Sequence, residues 1–454
     1  MSVGAFSAAA TAVSASAGTA HIRVMIDLTD IGLEPEEADA TLEAAAAPEQ
    51  EEAPKSDLVA GSVLARALYN VWTGQPCTVI DSPPGAGKTT LVLDIVAQLK
   101  QRSKLKVVLA TPTKRGAYDL AERIAARLGP DSKGRPQVAL SVYQMTPPPG
   151  VANGGRDSEL TNIPVVRTIA SCKRSAPACD LMIVDEAYQA TFADVTGAAD
   201  NAKQVLMVGD PGQIGPVVTA DVSAFRGRDA ATHMRAPEVY TQRSYTQVLA
   251  MDTTYRLGQQ TVDAIAPLYN FDFSSSRPDR HVERSDGKRL RELRPMEIPV
   301  SPTIESLDTM VRVAEAAAKM VGRTLVETDT DGTEYRRPLE QSDVAVVVAH
   351  NAQSSTITAI LRDMKMPNIT VGTADKMQGG QWHAVIALDP FTGHSTASGH
   401  RLSPGRLCVM ASRHLTHLSW LFSDNWEEML NDPDVDKHEA KLARTVRRAL
   451  TGTV

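Results

Sequence analysis

The sequence predicts an α/β protein of two tandem lobes, each a mostly parallel sheet covered by helices. Three observations carry that prediction. Short runs that are apolar throughout, such as Val107-Val108-Leu109-Ala110, alternate with helical stretches, and unbroken apolar runs suit strands buried on both faces. Several of these runs end in a polar or catalytic-looking residue. The alternation starts again near Asp343, and 454 residues are enough for two to three domains.

Residues 1–58 read as an acidic Ala/Pro-rich tail without a fold of its own. Residues 1–60 hold eleven acids and two bases, a balance of −9, so the other 394 residues carry +2 of a chain total of −7. High net charge on few apolar groups cannot offset the entropy of ordering, and such a tail suits a protein partner. The near-neutral body has room for a basic groove. No run of 18 apolar residues indicates a membrane span, and the Ala/Ser-rich residues 5–20 lack the preceding Lys or Arg of a signal peptide. Four cysteines, Cys77, Cys172, Cys179 and Cys408, without zinc-site spacing indicate reduced thiols and a cytoplasmic setting.

The first lobe, residues 59–250, starts its sheet at Thr78-Val79-Ile80. The loop Ser82-Pro83-Pro84-Gly85-Ala86-Gly87-Lys88-Thr89 follows, and a helical pattern runs over 90–99. Strand, Gly-rich loop and helix in that order form a phosphate-binding loop, in which backbone N–H groups and the helix N-terminus surround phosphates. Pro84 to Thr90 are the nucleotide contacts: Pro84, Gly85, Ala86, Gly87, Lys88, Thr89 and Thr90. Lys88 reaches the β- and γ-phosphates, and the Thr89 hydroxyl holds Mg²⁺. Ser82 stands where the pattern usually has Gly. A strand over 107–110 and a helix over 117–128 come next; residues 130–164 read as loops around one short strand. The strand 181–184 ends in Asp185-Glu186, about 96 residues after the loop. Asp185 suits Mg²⁺ and Glu186 suits polarising the water that attacks ATP, because phosphoryl transfer needs positioning and charge neutralisation. A further strand covers 205–208.

The lobes are expected to join near residues 245–260. Between Arg277 and Arg294 lie seven bases and four acids, read either as a solvated loop or as a patch that contacts a nucleic-acid backbone. The second lobe, residues 251–454, has strands over 344–348, 369–371, 384–388 and 418–422, and no second phosphate loop. A helix over 436–450 carries Arg444, Arg447 and Arg448 in its last turns, where cations complement the helix dipole.

The string DEAYQ at 185–189 resembles the DEAxQ signature of superfamily 1 helicases, particularly the 1B group. Further strings are similar to that family's motifs in order. ATPTKR at 110–115 resembles motif Ia, VVRT at 165–168 a strand ending in Thr, and GDPGQIGPVV at 209–218 motif III. DTTYRL at 252–257 resembles motif IV, VVAHNAQ at 347–353 the opening of the second lobe's core, VGTADKMQGGQ at 371–381 motif V, and RLCVMASR at 406–413 motif VI. The resemblance runs from about residue 60 to 425. It implies two RecA-like P-loop lobes with minimal accessory insertions and ATP between them. Lys88 and Glu186 are then catalytic, Gln213 senses the γ-phosphate, and Arg256 and Arg413 reach across from the second lobe as arginine fingers. Gln381 faces the ribose or phosphates, where Glu is commoner. Thr111, Pro112, Thr113, Thr168, Thr373 and Asp375 touch a single strand, DNA rather than RNA, with 5′-to-3′ movement. The family's adenine-contacting Gln falls near Leu64 or Ala65, and neither is Gln. Three readings stay open: a helicase, a translocase or remodelling ATPase that does not unwind, and a non-motor P-loop ATPase or adaptor.

Overall fold

The computed structural model describes residues 58–452 except 155–162, 220, 226, 330, 398 and 433–434. The expected acidic tail therefore lies outside the described residues, save Leu58.

Eight strands build the first sheet: β1 Cys77–Asp81, β2 Val107–Thr111, β3 Ala139–Leu140, β4 Ala152–Asn153, β5 Val165–Thr168, β6 Cys179–Asp185, β7 Ala202–Gly209 and β8 Thr246–Ala250. Their order is β4-β3-β5-β2-β6-β7-β1-β8, with every neighbour parallel. Every residue of β1, β2 and β5 is buried, as strands covered on both faces must be. Helices Val63–Trp72, Lys88–Arg102 and Lys114–Leu128 pack their apolar stripes on one face. Ile169–Ser175, Phe192–Ala198 and Ala236–Tyr240 cover the other. Within 130–164 the sequence predicts one short strand; the described residues form two, β3 and β4, each two residues long and too brief for any periodicity to register.

After the first sheet come β9 Thr253–Thr254, β10 Ser274–Ser275, β11 Arg280–Val282, β12 Leu293–Glu297, β13 Thr324–Thr328, β14 Glu334–Pro338, β15 Val344–Val348, β16 Thr370–Thr373, β17 Trp382–Leu388 and β18 His414–Phe422. The second sheet has the order β12-β18-β17-β15-β16, again all parallel. Its core lies against Leu307–Ala318 and Asn351–Asp363 on one face, and against Gln259–Ile265, Pro404–Ala411 and Lys437–Thr451 on the other. This sheet starts earlier in the chain than the sequence predicts. Its first strand is β12, a charged edge strand containing Pro295, and an edge strand can tolerate both. The antiparallel set β11-β13-β14 is small, and the sequence reading did not anticipate it.

The run 277–294 is not simply a solvated loop, since it contributes β11 and the start of β12. Arg447 also differs from expectation. It is fully buried, with Nε 3.1 Å from Asp389 Oδ2 and its guanidinium 3.9 Å from the Phe391 ring centroid. It thereby clamps the last helix to the loop after β17, whereas Arg444 and Arg448 pair with Glu427 at the surface. All four cysteines are free and buried. Among the described residues no helix is long and apolar enough to cross a membrane.

Candidate active site

In an open parallel sheet, chemistry gathers at the carboxyl ends of the strands. Here β1 runs into the glycine-rich loop, β6 ends at Asp185 and β7 ends at Gly209. Register sets Asp81 beside Gly209 and Asp185 beside Val208, so three adjacent strands deliver these residues together. A cavity of about 620 Å³ opens there. Its walls include Gly85, Gly87, Lys88, Thr89 and Thr90 from the loop, then Asp185, Glu186 and Gln213. Tyr255, Arg256, Gln381 and Arg413 close it from the downstream half of the chain.

Gly85 and Gly87 have φ of +78° and +87°, a region that side-chain-bearing residues rarely adopt. A Cβ on Gly85 would also collide with that of Arg256. Gly87 starts the helix Lys88–Arg102 with no side-chain cap, leaving the first-turn N–H groups for an anion. Ser82 has its own task where Gly is usual: its Oγ and its N both donate to Gly209 O, at 2.8 and 3.0 Å, tying the loop to β7. Pro84 and Ala86 do not line the cavity. The Pro84 carbonyl accepts from Thr254 Oγ1 at 2.6 Å, and Ala86 is buried.

Glu186 sits at φ +53°, strained for a non-glycine residue and a common sign of a functional position. Burial, with Glu186 alongside, raises the Asp185 carboxyl to about 7, and Lys88 only partly offsets this. A cation is what that carboxylate lacks. Asp185 and the Thr89 hydroxyl offer hard oxygen ligands, a set that fits Mg²⁺ when phosphates and water complete the shell.

Asp210 is one of the site residues that the sequence reading did not single out. Fully buried, it lies 3.8 Å from Lys88 Nζ and accepts from Gly212 N, Gln213 Nε2 and Tyr269 Oη. Gln378 Nε2 in turn donates to Gln213 Oε1 at 3.1 Å, so the end of the first sheet is bonded to the segment that follows β16. Asp210 lies inside the motif III string, and the signal that could have singled it out was its place next to β7.

Arg413 is buried and Arg256 nearly so, and burial lowers the pKa of both, Arg256 to about 9 with Arg413 as a second cause. Among the described residues the Nε of each is buried without a hydrogen-bond partner. Two adjacent guanidinium groups with orphaned donors fit an anionic ligand. Arg256 does not belong wholly to the second half: Tyr255 N donates to Gly85 O at 3.0 Å, which seats this segment on the phosphate loop.

A buried carboxylate braces both arginines. Glu292 Oε1 accepts from Gly258 N at 2.7 Å, Thr261 Oγ1 at 2.8 Å and His414 Nε2 at 3.1 Å, with Arg277 Nη1 at 4.0 Å. Burial would raise its pKa, but the His414 bond, the charges of His414 and Arg277, and the Thr261 bond bring it down to about 2. Burial lowers the pKa of His414, opposed by its bond to Glu292 and the charge of Glu292, and its Nδ1 is buried without a partner among the described residues. Arg277 and Arg280 both donate to Leu415 O, and Arg280 also to the carbonyls of Tyr255 and Arg256.

None of the six strand-contact candidates lines this cavity. Thr111 is buried and donates to Thr113 O; Thr113 and Thr168 cap helices through Gly116 N and Ser171 N. Pro112 is half-buried, Thr373 is buried, and exposed Asp375 pairs with Arg406 at 3.2 Å.

Residues 65–270 match the AAA domain family. Among solved structures, the chain is similar to the helicase of the arterivirus PRRSV, at 16% identity and TM-score 0.43 over 84% of this chain and 70% of that one. It is also similar to an arterivirus nonstructural protein 10 helicase solved with DNA, at 15% identity and TM-score 0.44 over 82% and 66%. The chain thus spans less than two thirds of that second structure's length. No curated protein sequence matches. The AAA domain match, residues 65–270, takes in the glycine-rich loop after β1 and the strands β2, β6 and β7 that carry the first half of the cavity.

Proposed function

We propose that this protein hydrolyses ATP to drive movement along single-stranded nucleic acid and strand separation, 5′-to-3′ and on DNA. One observation carries the reading: Arg256 and Arg413, far from Lys88 in sequence, share its cavity with orphaned Nε donors. The lobes are assigned to residues 59–250 and 251–454, with ATP between them. Lys88 and the N–H groups of Gly85 to Thr90 bind the phosphates, and the exposed Tyr255 ring offers the base a face that no Gln near Leu64 supplies. Asp185 and Thr89 would hold Mg²⁺, which would supply positive charge to screen the phosphates. Glu186 polarises the attacking water. Arg256 and Arg413 bond to the charge that builds on the transferring phosphoryl, which elsewhere is worth about 10³–10⁵ in rate. Gln213, joined to Gln378, reports phosphate occupancy to the second lobe, so that closing and opening become steps along a strand. Pro112, Thr113 and Asp375 are the accessible members of the track. Buried thiols suit a cytoplasmic setting.

The test is ATP turnover with and without single-stranded DNA or RNA, followed by strand displacement on tailed duplexes. Stimulation with displacement supports the motor. Stimulation without displacement leaves a translocase, and a rate indifferent to any strand overturns both.

A further inference from the structure

A second cavity, of about 570 Å³, shares no lining residue with the first. Five arginines line it, Arg284, Arg289, Arg291, Arg294 and Arg323, completed by Leu290 and Pro295. The fold assembles it from three places. After β11 the chain reverses in a tight turn, with Arg284 N donating to Lys288 O and Gly287 at φ +76°, then re-pairs through Leu290 N to Val282 O. That return leads into β12, which carries Arg294. Arg323 arrives from the turn before β13, the strand that pairs with β11.

The charge in this groove is not balanced. Arg284 has Asp286 at 3.5 Å, and Arg289 has Asp279 at 3.0 Å. Among the described residues Arg291 and Arg294 have no carboxylate partner. Arg323 gives its Nε to Lys319 O, and burial followed by the nearby Arg294 and Arg284 lowers its pKa. Like charges that converge without partners cost stability. Planar guanidinium forks in a group match several phosphate oxygens at once.

Two further features select the ligand. Four of the five arginines are exposed, so the groove is open and a long polyanion can lie across it. Among the described residues no aromatic side chain lines it, so they offer no platform on which unpaired bases could stack. We infer that this groove binds the phosphodiester backbone of a nucleic-acid duplex, apart from the ATP cavity and without base preference. The inference rests on the proposed nucleic-acid motor for its class of ligand, and it adds the duplex flank of the substrate as a separately held part.

The experiment measures binding of a blunt DNA duplex to the full chain, without ATP, from 50 to 200 mM salt. Arg291 and Arg294 are exposed, so Arg291→Gln/Arg294→Gln should fold and keep its basal ATP turnover. Each lost phosphate contact removes about 0.9 from the salt slope, so the double variant should lose about 1.8 of it. Across that fourfold salt range its affinity should then fall about tenfold less than the wild type's. Arg291→Lys/Arg294→Lys should keep most of the slope, because the point charges remain. Single-strand binding should change little. An unchanged duplex slope overturns the inference, as does a wild type that does not bind duplex. A double variant that keeps duplex affinity but no longer binds tripolyphosphate also overturns it, assigning the groove to a small polyphosphate instead. Failure of the motor reading looks different: no strand stimulates the wild-type ATPase, while the loss of duplex slope persists.

Discussion

Replacing Glu292 separates the structural and catalytic consequences of the buried network around the two arginines. In Glu292→Ala three buried donors, on Gly258, Thr261 and His414, lose their common acceptor, and the nearby Arg277 loses its counter-charge. A stranded buried donor costs about 1–3 kcal/mol, and breaking a buried ion pair about 3–5 kcal/mol. These are not additive, so the expected loss is about 4 kcal/mol, a large share of the 5–15 kcal/mol typical of a domain. Glu292→Gln keeps an acceptor oxygen and loses only the charge, so about 2 kcal/mol is expected. Urea denaturation at pH 7 measures both. The acid limb provides a second check. A carboxylate lowered from 4.5 to about 2 contributes stability above pH 4.5 that is lost as pH falls toward 2, about 3 kcal/mol in all. Glu292→Gln should lack that part of the wild type's acid sensitivity. Because the network anchors the Arg256 loop and the start of β18, Glu292→Gln should also lower ATP turnover tenfold or more with little change in KM. A Glu292→Ala protein within 1 kcal/mol of wild type, or a Gln variant with unaltered turnover, would show that the network neither supports the fold nor positions the arginines.

Further outcomes follow from the same geometry. Lys88→Ala should abolish ATP turnover, while Glu186→Gln should bind nucleotide yet turn over about 10²–10⁴ more slowly; normal turnover in either would undo the site assignment. Arg413→Ala should lower kcat about 10³-fold with ATP affinity changed far less, and a pure affinity defect would count against its role in the reacting state. Gln378→Ala removes the bond to Gln213 and should leave strand-free ATP turnover near normal while reducing stimulation by single strands; equal stimulation in both proteins would deny the coupling. Asp81 is raised from 3.8 to about 6 by burial, opposed by its Tyr188 hydrogen bond and reinforced by Asp210. Its stabilising contribution is therefore present below pH 4 and lost as pH rises through 6, about 3 kcal/mol. Asp81→Asn should be more stable than wild type at pH 7, with the gap closing toward pH 4 in urea melts; a gap independent of pH would contradict this.

Much of the site was legible because its parts are local. A glycine-rich loop after an apolar strand, and an acidic pair closing another, depend on spacing within a few residues, and register then brings them together. Tyr269, Gln378 and Glu292 were not legible as site residues. Each acts on a partner tens to more than a hundred residues away, and a lone Tyr, Gln or Glu has no local signature. β12 was missed for a related reason: an edge strand buries little, so its sequence need not look apolar.

The sequence by itself determined that a glycine-rich loop of the phosphate-binding pattern follows a buried parallel strand, because backbone conformation and strand periodicity are local properties. Only the tertiary structure decided which distant charges complete that cavity, and which half of the basic run turns inward. Arg277 and Arg280 brace the arginine segment, while Arg284, Arg289, Arg291 and Arg294 line an open groove with Arg323. A charge has no direction in sequence; its neighbours are chosen when sheets and helices pack, and burial then decides what each charge needs as a partner.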